Sequence, residues 1–493
     1  MKLFSLLKNI HCRVLGSTAI SINGLYHKDT EVKENGLFFC LRGTRVDGTA
    51  YVKSAVQNGA VAVVTEHEIL GLVGVTQVIV KNAREVMSLV ACKFYNHPAE
   101  KLKIIAVTGT NGKTTTSTMI YNVLNFAGKK SALVGTNGVF ISGKHYNSEM
   151  TTPDPIDLQR YFAMMVKAGC EYVCMEVSAH ALDLFKLEGF KVDISVFTNL
   201  TEDHLDYFKT MEKYFLAKQK LFLKKTNKLA IINIDDEYGQ QLTKIDRLNV
   251  QTYSLFNEAD YHAERLWFEG GKQYFVSQGT EFVLNIAGRF NVQNALATIA
   301  VLTEIGLDLA TIKKGFLEIK SVDGRFNTIF VGGVTVVIDY AHTPDGLKNI
   351  LTACRGMAQK NKVISVFGCG GNREKEKRKI MGEISSSLAD YTIITTDNPR
   401  FEAREAIAKD IEKGMINLAY EIELDRASAI SKAIKLANVG DIVVLAGKGS
   451  ENYIDENGMK IPYSDSVEVE KFRSKVNEWL YFGYWMFDLG IFG

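Results

Sequence analysis

Five segments, at 103–108, 131–136, 172–177, 193–199 and 229–234, are apolar runs without polar alternation, separated by stretches of helical periodicity. A strand that is apolar on both faces must be covered on both faces, so these runs predict a mostly parallel sheet between layers of helix. The pattern restarts at 334–339, 363–368, 392–396, 421–424 and 442–446, each followed by a helix. A smaller version precedes both, with strands at 36–41 and 60–65 and helices at 51–58 and 83–95. Asn96-His-Pro98 closes that first unit, because Pro98 cannot continue a helix and pushes its predecessor out of helical geometry. With 493 residues the chain is too long for one core. The expectation is an α/β protein of three domains at 1–98, 99–324 and 325–493, the first two closely coupled because no linker separates them.

The first strand of the central domain runs into Gly109-Thr110-Asn111-Gly112-Lys113-Thr114-Thr115. The two glycines free the backbone to turn its N–H groups toward one point, and the apolar spacing of Met119, Ile120, Val123 and Leu124 puts a helix N-terminus beneath it. That is a phosphate site. Lys113 would reach the outer phosphates and Thr114 would offer its hydroxyl to magnesium. The spacing is shorter than the common Gly-x-x-x-x-Gly-Lys-Thr, which leaves a Gly-rich turn that binds nothing as the competing reading.

The 58 basic and 56 acidic residues give a formal charge of +2 and no argument for nucleic acid or a membrane surface. The seven cysteines are odd in number and scattered, as reduced core thiols would be; Cys170 and Cys174 have metal-like spacing but no second pair. The N-terminal apolar run breaks at Lys8 and Asn9, unlike a signal peptide. The aromatic stretch 479–493 is too short to span a bilayer, and it would pack on the last domain or meet a partner or membrane interface.

In a parallel sheet functional groups gather at the carboxyl ends of strands. Here those ends carry Glu176, Ser178 and His180, then Asn199, Asp203 and His204, then Asn233, Asp235 and Asp236. Glu176 and His204 are candidates for holding cations near the phosphates, the competing reading being satisfied polar groups at strand ends. Lys218 reads as an ordinary helix-surface lysine. In the last domain Asp339-Tyr-Ala-His-Thr-Pro-Asp345 suits ribose and base contacts, or a capping turn. Gly368-Cys-Gly-Gly-Asn-Arg373 suits a carboxylate, and Asp397-Asn398-Pro399-Arg400 suits an amino acid's two charges, unless both are turns with surface ion pairs.

These motifs, with Met175-Glu-Val-Ser, Thr198-Asn-Leu-Thr-Glu-Asp-His-Leu-Asp and Phe290-Asn-Val-Gln-Asn-Ala-Leu-Ala, occur in the order found in Mur ligases, and the resemblance spans nearly the whole chain. It is nearest to the branch that adds the third residue of the peptidoglycan stem peptide. The resemblance implies a central P-loop ATPase domain, a Rossmann-like third domain, and ATP-dependent amide synthesis through an acyl phosphate, with ADP formed. It implies Lys113, His204 and Lys218 as catalytic, with Thr114, Glu176, His204 and a carbamylated Lys218 holding Mg2+. The ATP side would be Gly109 to Thr115 with Asn291, Asn294, Arg325, Asp339 and His342. Thr151, Thr152, Ser178 and Lys186 would bind the nucleotide-sugar dipeptide. Arg373, Asp397, Asn398, Pro399, Arg400, Gly447 and Glu451 would bind the amino acid. The Asp-Asn-Pro-Arg form is similar to that of enzymes taking meso-diaminopimelate rather than L-lysine, since an arginine fork pairs with the extra carboxylate. A cytoplasmic, monomeric bacterial enzyme of cell-wall synthesis, acting on small molecules and not on nucleic acid, is the implied whole. Departures fall on the acceptor side: no serine near Asp29, Ala179 for a serine, Lys186 for an arginine, Ser450 for a histidine, and Asp323 in Val322-Asp-Gly-Arg325 for a proline. They keep open a paralogue with another carboxylate acceptor and, from a different class, a non-catalytic nucleotide-binding module.

Overall fold

The computed structural model describes residues 1–43, 47–224 and 227–474, so the aromatic stretch 479–493 lies outside the described residues. Three twisted sheets follow one another along the chain. The first has the order Arg13–Leu15, Thr76–Ile79, Ala60–Thr65, Gly36–Phe39, Gly24–Tyr26, parallel except at its Arg13–Leu15 edge. Its last helix, Ala83–Phe94, ends at Asn96 and His97, both in the left-handed region, and Pro98 starts the next turn. That helix also joins the next core: Cys92 packs with Leu187 and Phe190, and the Ser88 hydroxyl donates to the Phe185 carbonyl at 2.6 Å.

The central sheet has nine strands, ordered Tyr261–His262, Val250–Ser254, Leu229–Asn233, Ile194–Phe197, Lys103–Thr108, Tyr172–Glu176, Ser131–Gly135, Gly138–Ile141, Lys144–Tyr146. The first seven are parallel, as expected for the five apolar runs among them, while Tyr261–His262 and Val250–Ser254 extend that parallel edge with polar residues, and separate cores cover the two faces. The last two form an antiparallel hairpin that the apolar-run reading did not anticipate, because its strands are short and partly exposed. The chain leaves Lys103–Thr108 for Ser131–Gly135 on one side and later returns to Ile194–Phe197 on the other. This order reversal opens a crevice at the carboxyl end of Lys103–Thr108.

A three-stranded antiparallel sheet, Arg265–Glu269, Lys272–Ser277 and Thr280–Leu284, packs Phe275 and Phe282 against Phe316 of the helix Leu309–Glu318. The last large sheet is ordered Asn327–Val331, Val334–Asp339, Ile442–Ala446, Val363–Phe367, Tyr391–Ile394, Tyr420–Ile422, with only the first strand antiparallel. A small hairpin, Tyr453–Glu456 and Met459–Pro462, lies beyond it.

Candidate active site

The phosphate loop is braced from behind. The Thr110 amide donates to the Asn199 carbonyl at 2.8 Å, the Asn111 amide to Asn199 Oδ1 at 2.9 Å, and the Thr198 hydroxyl to the Asn111 carbonyl at 2.6 Å. Gly112 caps the helix Lys113–Phe126 at φ +86°, where a Cβ would come within 2.4 Å of Asn294 Oδ1. The first amides of that helix have no carbonyl of their own to meet, so they form a cradle for an anion. Thr115 is buried beside them and lines a cleft with Asn294, Arg325, Asp339 and Tyr340. Asn291 stands a layer back, donating to the Ala287 carbonyl at 2.7 Å and accepting from Asn294 at 3.3 Å.

At the cleft floor Glu176, 1% exposed, accepts from the Thr136 amide at 2.8 Å, the Thr136 hydroxyl at 3.1 Å and the Thr114 hydroxyl at 2.9 Å. Arg325 Nη2 donates to the Thr114 hydroxyl at 3.1 Å. Thr114 and Glu176 thus offer hard oxygen donors side by side, next to the phosphate cradle. Among the described residues no group of three His, Cys, Asp or Glu side chains could hold a metal. That donor set fits magnesium, which takes one or two protein oxygens and completes its shell with phosphate and water.

Two lysines converge on the loop. Lys113 Nζ donates to the carbonyls of Gly109 at 3.0 Å and Thr110 at 2.7 Å. Lys218 Nζ donates to the same Gly109 carbonyl at 2.7 Å and lies over the Tyr214 ring. The surface reading of Lys218 is wrong: it is 1% exposed, because it shares the inward face of Met211–Leu223 with Tyr214, Leu221 and Phe222. Burial and the charge of Lys113 hold its amine well below the ordinary lysine value, and burial lowers Lys113 as well. His204, in the left-handed region, heads the short helix Leu205–Phe208, 3.4 Å from Asp203 and edge-on to His180. Burial keeps its imidazole below the usual histidine value, which leaves it neutral with a free lone pair at pH 7.

His342, expected on the ATP side, does not line the cleft beside the phosphate loop. It lines a second cavity with His204, Arg373, Lys377, Asp397, Asn398, Arg400, Gly447 and Glu451. The strand ends of the last sheet thereby come together opposite His204, and Pro399 turns the chain between Asn398 and Arg400. Gly447 is required there, at φ +113°, since a Cβ would come within 2.5 Å of Asp397 Oδ2. Lys448, 0% exposed, donates to Asn398 Oδ1 at 2.7 Å and to Glu451 Oε2 at 2.9 Å, so it fixes the pair. Lys377 donates to the His342 carbonyl at 3.1 Å and adds a cation to the same cavity. Sequence reasoning passed over Thr136, Lys377 and Lys448. Only the fold brings Thr136 to Glu176 and Lys448 to Asn398.

Among the residues expected to meet the acceptor, Thr152 Oγ1 donates to the Glu176 carbonyl at 3.0 Å and accepts from the Ser178 amide at 3.1 Å. Thr151 Oγ1 lies 3.1 Å from Thr136 Oγ1. Lys186, buried, pairs with Asp154 at 2.9 Å, and Asp154 also lies 3.4 Å from His27 of the first sheet's connection. These groups stand behind Glu176, apart from the residues of the last domain.

The chain matches three family profiles in succession: "Mur ligase family, catalytic domain" at 21–95, "Mur ligase middle domain" at 107–302 and "Mur ligase, glutamate ligase domain" at 324–449. It is 40% identical over 487 residues to UDP-N-acetylmuramoyl-L-alanyl-D-glutamate–2,6-diaminopimelate ligase 1 of Clostridium acetobutylicum, covering 96% of this chain and 99% of that one. The similarly named ligase of Clostridioides difficile is 40% identical over 487 residues, covering 97% and 100%. A solved structure of a ligase of that name is 32% identical with a TM-score of 0.65, covering 92% of this chain and 95% of that one. The MurF ligase of Thermotoga maritima, solved in complex with ADP, shares the fold at 19% identity and a TM-score of 0.63, covering 92% and 98%.

Proposed function

This chain belongs to the Mur ligase family, and from that premise we propose that it joins meso-2,6-diaminopimelate to UDP-N-acetylmuramoyl-L-alanyl-D-glutamate in peptidoglycan precursor synthesis. ATP is converted to ADP and phosphate. The observation that carries the reading is the meeting of a phosphate cradle and an amino-acid-like cavity at Tyr340, which lines both, with His204 on the wall of the second.

A carboxylate cannot be displaced by an amine, because its leaving group would be oxide; as an acyl phosphate it can. The Gly109–Thr115 amides hold the ATP phosphates while Lys113 leaves its loop carbonyls to follow the γ-phosphate. Arg325 stands beside Thr114 and adds positive charge as the phosphoryl group moves to the D-Glu carboxylate. Thr114, Glu176 and His204 would hold magnesium, which supplies charge screening for the approach of two anions. Lys218, whose burial beside Lys113 disfavours the protonated form, is the amine that can add CO2, and its carbamate would join that set. Asp397 and Glu451 would receive the ammonium of the incoming amino acid, and Arg373 and Arg400 its carboxylates. The acceptor's sugar and dipeptide would lie along Thr151, Thr152, Ser178 and Lys186. We place this work in the bacterial cytoplasm, in a monomer; among the described residues no helix is long and apolar enough to cross a membrane.

The test is phosphate release from ATP with the UDP-linked dipeptide and either meso-diaminopimelate or L-lysine. Release that depends on diaminopimelate is the expected result. Release only with L-lysine would reassign the amino acid, and release with neither would remove the ligase reading.

A further inference from the structure

The hairpin Tyr453–Glu456 and Met459–Pro462 has no part in the reaction as derived above, yet it grips the turn that carries Asn398 and Arg400. The Asp455 amide donates to Asn398 Oδ1 at 2.8 Å, and the Arg400 amide donates to the Asp455 carbonyl at 2.9 Å. The Asn457 amide in turn donates to the Arg400 carbonyl at 2.7 Å. Arg400 sits at φ +52°, which a side-chain-bearing residue keeps only where its surroundings hold it.

The guanidinium is held as well as the backbone. Its Nε lies 3.6 Å from Asp455 Oδ2, and its Nη1 donates to the Gly371 carbonyl at 2.8 Å. Gly370 makes room for this, since a Cβ there would come within 2.8 Å of Nη1. A guanidinium carries five N–H donors in one plane. With the Nε edge turned to Asp455 and Nη1 tied to Gly371, the Nη2 end is left for a ligand in the cavity that Arg400 lines. A carboxylate approaching from the cavity therefore meets a fork that is already oriented, and the ordering cost is met before binding.

From this geometry we infer that Asp455 is a positioning residue that fixes which end of Arg400 meets the second carboxylate of the amino-acid substrate, and so sharpens the preference for a diamine with two carboxylates over one with a single carboxylate. The inference rests on the reading of Arg400 as a carboxylate partner proposed above.

Steady-state kinetics of the full chain with ATP, the UDP-linked dipeptide and either meso-diaminopimelate or L-lysine test it, in Asp455→Asn, Asp455→Glu and Arg400→Ala beside the parent. Asp455→Asn keeps the backbone contacts and the side-chain volume. It is expected to raise KM for diaminopimelate about three- to fivefold, the scale of one partly exposed ion pair, with kcat and the KM for ATP held within about twofold. L-Lysine kinetics should not move, and Asp455→Glu should recover part of the loss. An unchanged diaminopimelate KM in Asp455→Asn, alongside a raised one in Arg400→Ala, would overturn the positioning role and leave the Arg400 reading standing. Equal losses with both amino acids, or in kcat and the KM for ATP together, would also overturn it, as a general structural role predicts. If Arg400→Ala keeps the parent's preference, the Arg400 reading has failed and the present inference falls with it.

Discussion

Lys218 is the residue where composition and position disagree most. A lysine amine held in a closed site cannot stay protonated cheaply, and Lys113 nearby makes it harder. Because its folded value lies below its unfolded one, the unfolded chain keeps the proton through the window between them. The unmodified lysine therefore costs stability increasingly as pH falls through that window. The same depression favours the neutral amine, the form that adds CO2. Protein kept in CO2-depleted buffer should lose activity and regain it on addition of bicarbonate, with intact mass rising by one CO2. Lys218→Ala should fall by about 100-fold or more in kcat and gain nothing from bicarbonate. A parent enzyme indifferent to bicarbonate, with no added mass, would rule out the carbamate. The burial of Lys218 was legible in principle, since Tyr214, Leu221 and Phe222 sit four, three and four residues away and mark one helical face. Apolar spacing was simply not asked to include a cation, and the family resemblance supplied what the pattern did not. Glu176 permits a second test at this scale. Glu176→Gln removes the charge, keeps one oxygen to accept from the Thr136 amide and turns an NH2 donor toward the Thr114 and Thr136 hydroxyls, which can accept, so kcat should fall by about 10- to 100-fold with a raised magnesium requirement and little change in thermal midpoint.

At the scale of elements, the strand-loop-helix of the phosphate site was the most readable part, because each of its pieces obeys a local rule. Ile104 to Val107 are buried on both faces, the glycines take the turn, and the helix begins at Lys113. The bracing of that turn was not readable. It comes from Thr198 and Asn199 at the end of the adjacent strand and from Asn294 on the buried helix Arg289–Glu304, contacts that cross 80 to 180 residues of chain. The antiparallel additions escaped for a related reason: at Arg265–Glu269 and Tyr453–Glu456 the strands are half-exposed, so apolar continuity does not mark them. Gly112 tests whether the loop's shape or only its composition matters. An alanine there would face a backbone at φ +86° and a Cβ within 2.4 Å of Asn294 Oδ1, breaking the Thr116 hydrogen bond to that oxygen. Gly112→Ala should cost about 1–3 kcal/mol of stability and weaken ATP binding by more than tenfold, read by thermal melts and nucleotide titration. Normal nucleotide affinity in that variant would mean that the loop can bind phosphate in another shape.

At the scale of the molecule, the amide bond can form only where the central and last domains face each other, yet few contacts hold those faces together. Asn111 Nδ2 donates to Asp345 Oδ2 at 2.7 Å, Ser450 Oγ to Asn137 Oδ1 at 2.8 Å, and Arg325 Nη2 to the Thr114 hydroxyl at 3.1 Å. Arg373 pairs with Asp206 at 3.2 Å, but both are partly exposed and such a pair adds little. Hydrogen bonds of about 1–2 kcal/mol each leave the closed arrangement within a few kcal/mol of an open one, so substrate binding can tip the balance. Ser450 is one of the places where the sequence departs from the family pattern, and its contact with Asn137 gives the departure a structural use. Asn137 follows Thr136, which holds Glu176, so the latch ties the amino-acid loop Gly447–Glu451 to the phosphate floor. Removing the latch should tax every step that needs closure without touching the nucleotide site. Ser450→Ala is expected to raise the KM for the amino acid about fivefold, the population shift that 1 kcal/mol produces, with ATP affinity unchanged. Asn137→Ala should do the same, and the double variant should add little beyond it. Energy transfer between labels on the two domains should report a larger open fraction in both. Full additivity of the two substitutions, or an unchanged distance distribution, would show that Ser450 and Asn137 do not act as one latch.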